Sequence, residues 1–321
     1  ELAEMLFYAG ANVNAATRLG AYTPLFLAAK SGSAPIVKKL LEDGADVNVA
    51  ASTGTTPLML ASSSGSVAVI DLLLDRGAEI NEKEMVRGHT ALMFAAGANR
   101  FEALVRLLDR GADPALVTIS RDVEKMEDEA RKEREERGQR VSQPTDPVPQ
   151  PVKKVKSGGN VFSKIFSWLP GVGDAKPEPK TKEVRRSRRK RRSFGSLVGQ
   201  HGGLAPLHFA ARQGYTEIVD ELLEHGADIN QLSGDNSTAL LIATLNGHFD
   251  LAKHFVEKGA DVTLASDGGS TPLYAAVNCQ WGPRSMYPQP KAQHQQSTSY
   301  LDLMELFINK GADINARVNK K

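Results

Sequence analysis

A single cysteine, Cys279, stands among 321 residues. One thiol cannot close an intramolecular disulfide, and such sparing use leans toward a reducing compartment. No run of about 18 uncharged apolar residues occurs, so the sequence encodes no transmembrane helix. The histidines are His89, His201, His208, His225, His248, His254 and His294, and none pairs with another or with Cys279 at zinc-ligand spacing. Gly171-Val172-Gly173 lacks the third glycine, the strand and the helix of a nucleotide fingerprint. A haem-attaching Cys-x-x-Cys-His is absent too. Cys279 has no evident base in its neighbouring sequence, and Asp and Glu recur only because a longer pattern recurs. The expectation is therefore no catalysis, no metal and no cofactor within these residues.

What the chain has in abundance is a period. Gly-Ala-Asp or a close variant begins at Gly10, Gly44, Gly77, Gly111, Gly226, Gly259 and Gly311, with separations of 34, 33, 34, 115, 33 and 52 residues. Most of these equal one unit, and the two long gaps equal one unit plus an insertion, which places the chain among stacked repeat proteins. A second series fixes the phase: Thr23-Pro24-Leu25-Phe26, Thr56-Pro57-Leu58-Met59, Thr90-Ala91-Leu92-Met93, Ala205-Pro206-Leu207-His208, Thr238-Ala239-Leu240-Leu241 and Thr271-Pro272-Leu273-Tyr274. Threonine before proline suits a helix start, since the hydroxyl caps and proline fits the first turn. Later in each unit, Ile36, Val37, Leu40 and Leu41 repeat as Val69, Ile70, Leu73 and Leu74, then as Ile218, Val219, Leu222 and Leu223. That spacing makes one face of a second helix apolar. Gly32, Gly65, Gly214 and Gly247 mark the turn between helices, and Asn99 stands there in another unit, the residue next most tolerant of a left-handed backbone.

This pattern resembles the ankyrin repeat, whose signature is Thr-Pro-Leu-His-x-Ala-Ala, a glycine turn, Ile-Val-x-x-Leu-Leu and Gly-Ala-Asp. The resemblance covers roughly residues 1–119 and 201–317. It implies an all-α solenoid of helix-turn-helix units joined by β-hairpin fingers. Residues 1–119 read as an N-terminal half unit plus three units, 120–193 as a disordered charged and proline-rich insertion, and 194–321 as three units, the last interrupted at about 280–299. The Trp-Pro-Tyr-rich second insertion, with Trp281 and Tyr287, is similar to that of long bacterial arrays. His208 and His248 stand where the family uses histidine for helix-start and turn hydrogen bonds, but Ala205 replaces the usual threonine partner and puts the bond of His208 in doubt. His225 sits at a helix end, where a cation suits the dipole. The chain opens on Glu1 inside what aligns as a second helix, with Leu2, Ala3, Leu6 and Phe7 in the apolar places, and so reads as a fragment.

The formal net charge of +2 averages unlike regions: residues 121–192 hold 21 Lys and Arg against 12 Asp and Glu, leaving the rest mildly acidic. Asp122 to Arg137 alternates in sign and suits a solvated helix, while Gln143 to Lys156 is proline-rich and reads as disordered. Val161 to Leu169 forms a short apolar patch, either a satellite on the solenoid or a partner or membrane-surface contact. The cations Arg185, Arg186, Arg188, Arg189, Lys190, Arg191 and Arg192 form a candidate polyanion or nuclear-import run. Phe194, Leu197, Val198 and Leu204 would pack on the following unit as a remodelled finger.

The resemblance implies protein recognition through a concave face built from finger tips and the exposed ends of the first helices. Mapped onto this chain, those positions are Tyr22, Lys30 and Ser31, then Thr55, Ser63 and Ser64, then His89, Arg212 and Gln213, and finally Ser237, Leu245 and Asn246. A monomeric, soluble binding scaffold, with the cytoplasm favoured, is the expectation. Two alternatives stay open: a targeting arm for an enzyme or haem domain beyond these residues, and nucleic-acid contact through the basic run.

Overall fold

Each unit folds because its punctuation agrees with its apolar period. In a computed structural model that describes residues 12–142, 200–281 and 295–318, the first helices are α1 (Pro24–Ser31), α3 (Pro57–Ser64), α5 (Ala91–Gly97), α8 (Pro206–Gln213), α10 (Ala239–Leu245) and α12 (Pro272–Trp281). The second helices are α2 (Ala34–Glu42), α4 (Val67–Asp75), α6 (Phe101–Asp109), α9 (Thr216–Glu224), α11 (Phe249–Glu257) and α13 (Tyr300–Asn309). Thr56, Thr90, Thr238 and Thr271 each accept, through the side-chain hydroxyl, the backbone N–H three residues on, at 3.2–3.4 Å. Each bond satisfies a donor that the first turn would otherwise leave orphaned. At the between-helix turn Asn99 is left-handed, with φ 55°, in the place that glycine holds elsewhere.

First helices pack on first helices, and second helices follow them along the outer side. Alanine pairs such as Ala28–Ala29, Ala95–Ala96 and Ala210–Ala211 are buried at the close approach, and the second helices bury Val37 and Leu40, Val69, Ile70 and Leu73, and Ile218, Val219 and Leu222. Each such side chain contributes about 1.5–3 kcal/mol by leaving water. No single centre exists; the core is one cluster running the length of the array. Among the described residues no helix is long and apolar enough to cross a membrane.

The stack continues across the long insertion. Helix α8 packs on α5 and α9 on α6. Fingers are joined edge to edge by backbone bonds: Ser52 to Gly20, Met85 to Thr53, Ile119 to Arg87 and Gly234 to Gly202, at 2.8–3.0 Å. The insertion leaves the finger through a short antiparallel ribbon, β1 (Arg121–Asp122) with β2 (Gln200–His201), and Thr118 and Leu204 close its base. Gly202 is required there: its φ is +103°, and a Cβ would lie 2.0 Å from the Ile119 carbonyl oxygen. At the opposite edge of the units, asparagine side chains bridge successive turns, as Asn14 does to Asp46 and Gly44. Across the insertion joint Ala115 occupies that place, and Gln231 reaches back to the Ala115 carbonyl instead at 3.0 Å.

Two expected boundaries shift. The insertion taken from residue 120 begins with β1 and then, over the stretch whose alternating charges suit a solvated helix, with α7 (Val123–Ser142), where Arg131 meets Asp128 at 2.8 Å. From Lys125 to Ser193 the chain is a unit separate from the repeats. The second insertion also starts later: Trp281, expected in a loop, is the last residue of α12. Its far end is clamped. Asp250 accepts hydrogen bonds from the Ser297 and Thr298 N–H groups and the Ser297 hydroxyl at 2.7–2.9 Å, and its own N–H donates to Gln296. The expected half unit at residues 1–11, the apolar patch at 161–169, the cations from Arg185 to Arg192, Phe194, Leu197, Val198 and Tyr287 lie outside the described residues.

The Asp250 clamp makes a pH prediction. Burial pushes the carboxyl pKa upward, but the hydrogen bonds from Thr298 and Ser297 outweigh it and hold it at about 2, below the ordinary 3.8. A depressed carboxyl pKa gives stability that is full above 3.8 and lost as pH falls through about 2. Asp250→Asn is expected to cost about 1 kcal/mol at neutral pH, after allowance for solvent screening. Denaturant titrations should show the gap closing as pH falls from 3.8 toward 2.

Candidate functional site

The fourth position after the threonine slot of each first helix is only partly covered in five units, and its Leu60, Phe94 and Phe209 also pack against the core. It holds Leu27, Leu60, Phe94, Phe209 and Ile242, an unbroken apolar row that ends at the buried Ala275. Leu27 is 62% exposed and the next four are half-buried. The fingers beside this row also expose apolar groups, Leu19, Met85, Val86, Ile119 and Leu232. The outer helices differ: their exposed positions are largely charged, with Ile36, Phe101, Leu301 and Ile308 as exceptions. Several outer charges are spent on pairs between units. Arg110 meets Asp71 at 3.3 Å and Asp75 at 2.7 Å, and Lys258 and His254 meet Asp220 at 3.0 and 2.7 Å.

The apolar row deepens where α5 meets α8. Ser63, His89, Met93, Phe94, Gly97, Ala98 and Phe209 line a groove of about 250 Å³. His89 stands edge-on between two rings, with centroids 5.6 Å from Phe94 and 5.4 Å from Phe209 and interplanar angles of 83° and 81°. The groove exists because Gly97 has no side chain; the same helical position is Lys30, Ser63, Arg212 and Leu245 in other units. Glu84 fixes the finger that carries His89. It is 5% exposed, and its carboxylate accepts the N–H groups of Val86 and Arg87, each at 2.6 Å. Burial pushes the His89 pKa down, against the pull of the neighbouring Glu84 carboxylate, so the imidazole is neutral at pH 7.

The candidate residues distribute unevenly. Ser63 and His89 come together in the groove. Tyr22 is 43% exposed, with its ring centroid 5.7 Å from that of Phe26. Lys30, Ser31, Arg212, Gln213, Leu245 and Asn246 are exposed, although Ser31 and Asn246 donate to carbonyls of their own helices. Thr55 and Ser64 are half-buried, Thr55 bonded to Thr53 and Ser64 to the Ala61 carbonyl. Ser237 is a correction. It is 6% exposed and its hydroxyl donates to Asp235 at 3.0 Å, because this finger folds inward around Ser233; it offers no side chain to a partner. Phe94, Phe209, Met93 and Gly97 were missed by the sequence reading. The signal was present, as a large apolar residue recurring at a slot that the core covers only in part.

The bond of His208 is also corrected. The imidazole is 1% exposed; Nδ1 accepts the Ala205 N–H at 2.9 Å and Nε2 donates to the Gln231 carbonyl at 3.1 Å. The missing threonine hydroxyl removes only the reciprocal bond. His225 does sit on its helix end, with Nδ1 3.0 Å from the Glu221 carbonyl oxygen. Among the described residues no group of three or more His, Cys, Asp or Glu could hold a metal ion.

Comparison with known proteins bears on the repeats alone. A family profile described as ankyrin repeats in three copies matches residues 1–84 and 207–318, and a single ankyrin repeat profile matches 87–119. A stretch of 43 residues is 56% identical to part of the E3 ubiquitin-protein ligase XBAT33 of Arabidopsis thaliana, covering 13% of this chain and 8% of that protein. Another of 52 residues is 46% identical to part of the putative ankyrin repeat protein FPV230 of Fowlpox virus (strain NVSL), covering 16% of this chain and 27% of that protein. The chain thus spans a minor part of either relative. In structure it is similar to the human ASB11 ankyrin repeat domain, with a TM-score of 0.55 and 19% identity over 93% of this chain and 88% of that one, a likeness of fold alone.

Proposed function

Because this chain belongs to the ankyrin-repeat family, whose repeats are generally protein-interaction modules, we propose that it is a non-catalytic scaffold that recognises a partner protein through its finger and first-helix face. The observation that carries this reading is the unbroken row Leu27, Leu60, Phe94, Phe209 and Ile242 beside apolar finger tips. Contiguous exposed apolar surface rimmed by polar groups is what an interaction site presents to its partner. The mechanism is rigid display: stacking fixes the backbone before contact, so little ordering entropy is lost on binding. The outer side has less to offer, since several of its charges are tied between units.

Lys30 and Arg212 make no ion pair among the described residues and rise from the same helical slot beside the apolar row. Lys30→Glu and Arg212→Glu are expected to weaken capture of the native partner roughly threefold to tenfold each without lowering the melting temperature. Lys38→Glu on the outer helix α2 should leave capture unchanged. Quantitative affinity capture from a native lysate measures this, and equal losses from both sides would move the binding surface elsewhere.

A further inference from the structure

We infer that the repeats before and after the long insertion are two pieces that recognise each other without the covalent link. A protease of trypsin-like specificity can then cut between Lys125 and Ser193 and leave one two-chain array. This goes beyond the scaffold reading and does not rest on it. The joint is a closed unit-to-unit interface, as the same slots elsewhere in the array reveal. The third residue after the threonine slot and the third before the Gly-Ala-Asp glycine are Tyr274 and Ile308 in the last unit, 39% and 40% exposed. At the joint they are Met93 and Leu108, 2% and 6% exposed, because the second piece covers them. The slot eight residues before that glycine looks the other way. It is Ile36 in the first described unit, 40% exposed, and Ile218 just past the insertion, fully buried. Parting the pieces would return Met93, Leu108 and Ile218 to water, and that cost holds them together.

Directional bonds across the joint fix its register. The Thr118 N–H donates to the Leu204 carbonyl at 3.0 Å, and the Leu204 N–H returns a bond to the Thr118 hydroxyl at 2.8 Å. Arg121 and Asp122 pair with His201 and Gln200 in the ribbon. At the opposite edge Gln231 reaches the Ala115 carbonyl, and between the edges His89 meets the Phe209 ring. Each of these contacts joins a residue before Lys125 to one after Ser193, and the stretch between is a unit separate from the repeats. Hydrolysis of a peptide bond there consumes one water, leaves a new carboxylate and a new amine, and removes none of those contacts. Arg131, Lys132 and Arg134 stand exposed on α7, and seven more cations lie from Arg185 to Arg192. Each is the residue type such a protease takes before the scissile bond. The covalent link itself contributes modestly: even short flexible tethers give an effective concentration of only about millimolar, and longer ones give less. The joint therefore has to hold mainly by its own contacts.

The test uses the full chain and a low dose of trypsin. Mass spectrometry should place the first cuts between Lys125 and Ser193. On native size-exclusion chromatography the two pieces should elute together as one species with the helical circular dichroism of the uncut chain, and they should separate in urea. Serial dilution of the cut protein then measures their affinity. Gln231→Ala removes the bridge to Ala115. It should leave the uncut chain folded and weaken pairing of the cut pieces roughly threefold to tenfold, the share of one hydrogen bond. First cuts inside the repeats, or a chain that trypsin does not cut between Lys125 and Ser193, would overturn the inference. So would pieces that separate at micromolar concentration without urea, or that lose their helical signal on cutting. Pairing indifferent both to dilution and to Gln231→Ala would mean that aggregation, not the joint, holds the pieces, and would overturn it as well. Partner capture by the uncut chain remains a separate test of the scaffold reading under every one of these results.

Discussion

Truncation of Leu73 or Leu222 to alanine is expected to destabilise the array by about 2–5 kcal/mol. Both side chains are fully buried, Leu73 on α4 and Leu222 on α9, where each second helix faces its neighbours. The Leu73 carbonyl accepts the Ala78 N–H at 3.0 Å and the Leu222 carbonyl accepts the Ala227 N–H at 2.9 Å, so each also anchors the turn after its helix. The backbone held by these bonds cannot collapse freely into the vacated volume, and the cavity term adds to the lost transfer energy. Coupling in a solenoid runs between nearest neighbours. Hydrogen exchange should therefore show Leu73→Ala loosening α2, α4 and α6 first, and Leu222→Ala loosening α6, α9 and α11. Losses under about half a kilocalorie at both sites in denaturant unfolding, against that expectation, would refute the assigned helix phase.

His208→Ala is expected to cost about 2–4 kcal/mol at neutral pH. The imidazole satisfies the Ala205 N–H and the Gln231 carbonyl inside the core, and alanine leaves both without their partner as well as a void. The effect carries a pH signature. Burial pushes the His208 pKa below 6.5, because Nδ1 must stay unprotonated to accept a hydrogen bond in a site that does not solvate charge. As pH falls below 6.5 the unfolded chain takes up a proton that the folded chain refuses, so wild-type stability declines. His89 and His248, also held low by burial, add to the slope. The alanine variant lacks the His208 share, so the gap between the two proteins should narrow as the medium is acidified. Denaturant midpoints measured across that range provide the check, and a gap that widens instead would mean the buried imidazole is already charged.

The candidate site was only partly legible in sequence. Exposed polar slots such as Lys30 and Arg212 follow from the phase of the repeat. The apolar slot did not draw attention because Leu60 or Phe94, read alone, looks like core. Whether such a residue faces a neighbouring helix or solvent depends on how helices from different units are set against each other. Ser237 failed for the opposite reason: its N–H donates to the Ser233 hydroxyl and its own hydroxyl to Asp235, so the side chain is spent within its own finger. The Asp250 clamp brings together residues 47 and 48 positions apart, beyond the reach of any period.

By itself the sequence determined the family, the helix pairs, their phase, the left-handed turns and the residues that bury, because all of these are set by spacing within one unit and by backbone preferences of glycine, proline and threonine. Tertiary structure alone decided what happens between units. It decided that α5 and α8 stack despite the long excursion between them, that a short ribbon and Gly202 close that excursion, and that a glycine at position 97 opposite Phe209 leaves a groove. The physical reason is that periodicity encodes which side of a helix is apolar, while the space left between two helices depends on both surfaces at once.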